Sequence, residues 1–74
     1  MKGMFANANF GDKFITRDGQ CALLLELMPQ SNHAMLWVQD NGEQIYYADG
    51  THDEYEELDI VGAWKRETDK QNNQ

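Results

Sequence analysis

The chain is poor in the residues that staple a small protein or arm an enzyme. Cys21 is its only cysteine and Pro29 its only proline. A single thiol excludes an internal disulfide and a cysteine-cluster zinc centre, so the disulfide-knit secreted class falls away. Serine is as scarce: Ser31 stands alone beside Asn32, in a segment that reads as a loop, and no serine triad can be assembled around it. Bases are missing from a long stretch. Between residues 40 and 59 there is no Lys or Arg, while Asp40, Glu43, Asp49, Asp53, Glu54, Glu56, Glu57 and Asp59 all fall there. Such a surface repels phosphate backbones, which excludes ordinary nucleic-acid binding as the leading expectation. Long apolar runs are absent too. Nothing approaches the roughly 20 residues of a membrane span, the N-terminus has no signal-peptide core, and a cytoplasmic location without membrane contact is expected.

What is present suits one small domain. The 74 residues carry a formal charge of −7, are 41% apolar and 11% aromatic, and hold enough bulk for a modest core rather than a disordered chain. A core of that size leaves roughly 3–5 kcal/mol of net stability.

Turn residues punctuate the chain at Asp18-Gly19, Asn41-Gly42 and Asp49-Gly50. Glycine there supplies the positive φ of tight turns, and the short runs between them are rich in aromatic and aliphatic residues, so consecutive hairpins are expected. Strands are expected at residues 12–17, 20–27, 34–39, 43–48 and 58–64. The second carries Leu23, Leu24 and Leu25 in a row, which marks a central or strongly bent strand covered on both sides, with a helix as the alternative. Met28-Pro29 ends it. Asn41-Gly42 between two apolar runs predicts a two-residue type I′ hairpin, and the loop 49–57 has room for one helical turn near Tyr55.

Five short strands laid flat leave one face wet and two edges open. The expected fold is therefore all-β, a small five-stranded SH3-like barrel with flexible termini; an OB-type barrel fits less well. Its interior is expected to hold Phe14, Leu23 or Leu24, Leu36, Val38, Ile45 and Ile60. Residues 1–9 are expected as an arm, 10–65 as the domain and 66–74 as a disordered polar tail.

The stretches FGDKFITRDGQ, NGEQIYYADG and LDIVGAWK together resemble a group of short proteins of unknown function from phages and prophage-like regions of bacteria. The resemblance covers residues 10–65. It implies a small β-barrel and a mobile-element setting, and brings no activity or functional position with it.

Chemistry finds few parts. Cys21 with His33 or His52 has the elements of a thiol and its base, but a small buried cysteine is the commoner occupant of a strand position. His52 beside Asp53, Glu54, Glu56 and Glu57 has ligand atoms, yet Gly50 precedes the acids instead of turning the loop among them as in calcium sites. No cofactor or metal and no enzymatic activity are expected. Aromatics remain as the candidate binding groups. Tyr46 and Tyr47 are adjacent, so they point to opposite faces and at least one is exposed; Trp37 alternates against Leu36 and Val38.

The expected function is a non-catalytic protein-interaction module, phage or mobile-element associated, monomeric or weakly dimeric. Trp37, Tyr46, Tyr47 and Tyr55 are its candidate anchors, and Asp53, Glu54, Glu56 and Glu57 its steering charges toward a basic protein partner. Two alternatives stand beside it. One is an acidic mimic of nucleic acid that inhibits a host defence nuclease; the other is a weak nucleic-acid-binding barrel using Lys2, Lys13, Arg17, Lys65 and Arg66.

Overall fold

Three consecutive leucines have no polar face to offer water, and the computed structural model, which describes residues 3–64, puts Leu23, Leu24 and Leu25 in the middle of a sheet. The elements in chain order are β1 (Lys13–Thr16), β2 (Cys21–Met28), β3 (His33–Val38), β4 (Gly42–Tyr47), a 3₁₀ turn (Glu56–Leu58) and β5 (Ile60–Ala63). All pairings are antiparallel and the sheet order is β4-β3-β2-β1-β5. The protein is all-β, and the helical turn sits one residue past Tyr55. β2 occupies the centre, with a register irregularity between Leu24 and Glu26 that accommodates Leu25 as an extra residue and bends the strand.

Both Asp-Gly pairs make the same turn. The Gly19 N–H donates to the Thr16 carbonyl at 2.9 Å and the Thr16 N–H to the Gln20 carbonyl at 2.9 Å; the Gly50 N–H donates to Tyr47 and the Tyr47 N–H to Thr51 in the same way, at 2.9 and 3.0 Å. Each loop has three residues and ends on a glycine with φ near +90°.

Asn41-Gly42 behaves differently. A type I′ turn needs positive φ at both central residues, and Asn41 does not have it. Instead the Asn41 N–H donates to the Val38 carbonyl at 3.0 Å, the turn centres on Gln39-Asp40, and Gly42 (φ +77°) opens β4 opposite Val38. The type I′ turn would have set Val38 against Ile45. A shift of three residues is odd, so it exchanges the two faces of β4. Ile45, expected inside, is 41% exposed, and Tyr46 is wholly buried in its place.

The core is Phe5, Ala22, Leu24, Ala34, Leu36, Val38, Tyr46, Leu58 and Ile60, with Ala8, Phe14 and Leu27 packed against it. Leu23 is half-buried on the other face, so Leu24 fills the interior position left open between them. Phe5 corrects the expectation of a free arm over residues 1–9: it is fully buried, meets Phe14 edge to face at 5.3 Å, and is followed into place by the Met4 N–H donating to the Ala48 carbonyl at 2.9 Å. Burying a large apolar ring is worth about 1.5–3 kcal/mol, and the backbone bonds of Met4, Ala6 and Ala8 add to it against the cost of ordering the segment. The expected tail, residues 66–74, lies outside the described residues.

No ladder joins β4 to β5 among the described residues. The connecting segment spans the gap. His52 bridges to Tyr46, the Ile60 N–H donates to the Gly50 carbonyl at 2.8 Å, and the sheet curls around the core without a closed ring of strands.

Gly3, where a Cβ would lie 2.5 Å from the Ala48 carbonyl oxygen, is the tightest point of this closure, and Gly50 is the next. A Cβ at Gly50 would lie 2.7 Å from Met4 Sδ and 3.4 Å from Ile60 Cβ, whereas one at Gly19, with a similar φ, would meet nothing within 4 Å. Gly3→Ala is expected to lower the unfolding free energy by about 2–4 kcal/mol, since the Ala48 backbone cannot move aside, and Gly50→Ala and Gly19→Ala by about 1–2 each, because the end of the Met4 side chain can, read as shifts in the urea midpoint at constant slope. Equal losses for all three would show that Gly3 does not lie against the Ala48 backbone.

Candidate interaction surface

β3 alternates strictly. Ala34, Leu36 and Val38 enter the core, so His33, Met35 and Trp37 face outward. Across the ladder they oppose Tyr47, Ile45 and Glu43 in that order, and His33 lies against Tyr47 with ring centroids 5.2 Å apart. Leu23 of β2 pairs with Trp37 from the other side. Trp37 is 49% exposed and Tyr47 44%, which with Ile45 makes a contiguous outer strip of large apolar groups.

Of the two adjacent tyrosines, Tyr47 is the surface group. Tyr46 is withdrawn as a binding residue: it has no exposure, and its hydroxyl donates to the Leu58 carbonyl at 2.8 Å. Burial pushes its phenol up to about 12, and the nearby charges of Asp18 and Asp59 act in the same direction.

The acids Asp53, Glu54, Glu56 and Glu57 are exposed, as is Tyr55. Their segment is held from below by His52, whose side chain is only 3% exposed. Nδ1 of His52 accepts the N–H groups of Glu54 at 3.1 Å and Tyr55 at 3.0 Å, while Nε2 donates to Gln44 Oε1 at 2.7 Å. Those partners define the tautomer, with the proton on Nε2. The ring also packs edge-on to Tyr46 at 5.3 Å and stacks on Tyr55 at 5.6 Å. Asp59 completes the anchorage by accepting the His52 N–H at 2.8 Å through Oδ1 and facing Arg17 at 3.5 Å through Oδ2.

Other carboxylates serve the turns. Asp18 accepts the Thr16 hydroxyl and the Gln20 amide, and these bonds hold its carboxyl below the usual range. Gln20 also reaches Asn41 Oδ1 and the Asp40 N–H, at 2.9 and 2.8 Å, which ties the β1–β2 turn to the β3–β4 turn. The Thr51 hydroxyl and N–H hold Asp49 down in the same manner as Asp18.

Cys21, expected to be buried, is half-buried at the start of β2. Among the described residues no group of three or more His, Cys, Asp or Glu is arranged to hold a metal ion. No helix among them is long and apolar enough to cross a membrane. Of the bases proposed for nucleic acid, Lys13 and Arg17 lie in the described region and Arg17 is turned to Asp59 and the Glu56 carbonyl; Lys2, Lys65 and Arg66 lie outside it.

The fold and surface define a small antiparallel β-domain with an apolar outer strip beside an acidic segment. Comparison with protein-family models, curated proteins and solved structures finds no match.

Sequence reasoning missed His33, Met35 and Ile45 on the outer face, and His52 and Gln44 as the support of the acidic segment. The alternation in β3 carried a signal for Met35. The same alternation covers His33, while the faces of Ile45 and Gln44 follow from the β4 register and the role of His52 from its contacts across the loop.

Two measurements test this anchorage. Because the folded phenol of Tyr46 holds its proton to about 12 and the unfolded one to about 10, stability is fully present below pH 10 and is lost as pH rises from about 10 to 12. Tyr46→Phe is expected to cost about 1–2 kcal/mol at neutral pH and to remove that alkaline loss in chemical denaturation. His52→Phe keeps the ring but leaves two backbone donors and the Gln44 Oε1 acceptor without a partner; a loss of about 1–3 kcal/mol is expected, with faster amide exchange at Glu54 and Tyr55.

Proposed function

We propose that the protein is a non-catalytic protein-interaction module, whose outer strip of Trp37, Ile45 and Tyr47 anchors a partner protein while Asp53, Glu54, Glu56 and Glu57 attract basic groups on it. The observation that carries this reading is the placement of Trp37 and Tyr47 on one face of the β3–β4 hairpin, both about half exposed, with Met35 and Ile45 between them. A rigid sheet holds these side chains at low entropic cost, which is what interface anchors require. Tyr55 joins the surface from the acidic segment, stacked on His52.

Mimicry of nucleic acid is less supported. It needs the acids of residues 40–59 as a common outward array, and Asp49 is bonded to Thr51 while Asp59 is turned to His52 and Arg17. A phage or mobile-element setting rests on the sequence resemblance alone and is part of the proposal.

The test is affinity capture from host lysate followed by titration calorimetry with the purified partner. Trp37→Ala or Tyr47→Ala is expected to weaken binding by about 30-fold or more, the range of an interface hot spot, and Val61→Ala on β5 to leave it unchanged. Affinity is expected to fall several-fold between low and physiological salt, since exposed charges steer through a screened medium. Capture of a nuclease whose binding competes with DNA, with both aromatic variants unaffected, would overturn this reading in favour of mimicry.

A further inference from the structure

β4 is an outer strand of the sheet, and part of its free edge is open. The Tyr47 N–H turns away from β3 and donates to the Thr51 carbonyl. In an antiparallel ladder the backbone groups turned toward and away from a neighbour alternate residue by residue. Glu43 and Ile45 therefore share the orientation of Tyr47, while Gly42, Gln44 and Tyr46 bond to β3. Thr51 and His52 cover the end of the edge at Tyr46 and Tyr47. Ahead of them, the N–H groups of Glu43 and Ile45 have no acceptor among the described residues.

A groove of about 260 Å³ lies against this open length, lined by Glu43, Gln44, Ile45, His52, Asp53 and Glu54. Its two sides differ in chemistry. One presents exposed Ile45 and continues into the strip of Met35, Trp37 and Tyr47; the other presents the exposed carboxylates of Asp53 and Glu54.

We infer that residues 42–45 accept a short extended segment of a partner protein as an added strand, with apolar side chains on the Ile45 side and Lys or Arg side chains against Asp53 and Glu54. This inference rests on the interaction-module reading and names its partner. An added strand alternates its side chains between two faces, which matches a groove apolar on one side and acidic on the other. Charge selects the occupant. From residue 40 to 59 the chain has no Lys or Arg to neutralise the site, and Arg17 is already paired with Asp59. A second copy pairing edge to edge would bring one Glu43 and its acidic neighbours against another set of like charge, which opposes self-association. A basic segment reverses the sign.

A hexapeptide of alternating Lys and Val, titrated into the isotope-labelled full chain, tests the inference by amide exchange and chemical-shift mapping. Slowed exchange at Glu43 and Ile45 is expected. So is binding weakened at least about tenfold by the double variant Asp53→Asn, Glu54→Gln, and by the same peptide N-methylated at every second residue, tried in both phases. Equal affinity of the parent and both N-methylated peptides overturns strand addition while leaving the interaction module standing, whose own failure shows instead in the Trp37 and Tyr47 variants. No protection at Glu43 and Ile45 overturns it as well, as does protection that appears without peptide and grows with protein concentration, the mark of a second copy at the edge.

Discussion

The register of β4 against β3 is the constraint from which both faces of this protein follow. Val38 pairs with Gly42, so Gln44 and Tyr46 join Leu36 and Ala34 on the inner face while Glu43, Ile45 and Tyr47 join Trp37, Met35 and His33 on the outer one. A slip by one residue would move Tyr46 into water and the glutamate into the core, where an unpaired carboxylate costs several kcal/mol. The positive φ of Gly42 and the Val38 to Asn41 turn hold that register from one end. The Tyr46 hydroxyl on the Leu58 carbonyl holds it from the other.

That second hold explains how a sheet of five short strands covers its core without closing on itself. Residues 49–59 leave β4, turn at Gly50, and lie across the open end, where side chains do what a ladder would otherwise do. His52 serves three backbone or side-chain partners at once and stands between Tyr46 below and Tyr55 above. A buried ring whose polar atoms are all bonded adds packing without an orphaned group. Phe5 and Met4 close the remaining side, with the end of the Met4 side chain lying against Gly50.

The acidic character divides along the same lines. Asp18 and Asp49 stiffen turns through hydroxyl and amide donors, and Asp59 orients His52 and Arg17. Asp53, Glu54, Glu56 and Glu57 remain facing water, on the same side of the molecule as the open length of β4 in the case of Asp53 and Glu54. Exposed aromatic groups, an open length of strand edge and one sign of charge share this surface. Its proposed role follows from that combination.

The sequence by itself determined that the chain is all-β, that β2 with its three leucines is central, that the Asp-Gly pairs turn, and that Leu36, Val38, Ile60 and one of Leu23 and Leu24 are inside. Those properties are local: period-two alternation and glycine dihedral freedom act within a few residues and need no knowledge of the rest. Tertiary structure alone decided which of Tyr46 and Tyr47 is buried, that Ile45 faces out, that Phe5 belongs to the core, and that His52 supports the acidic segment. Each of these depends on a neighbour distant in the chain, such as Leu58 for Tyr46 or Phe14 for Phe5. Asn41-Gly42 admits more than one turn geometry, and a difference of an odd number of residues in pairing is invisible in composition yet exchanges every side chain between core and water.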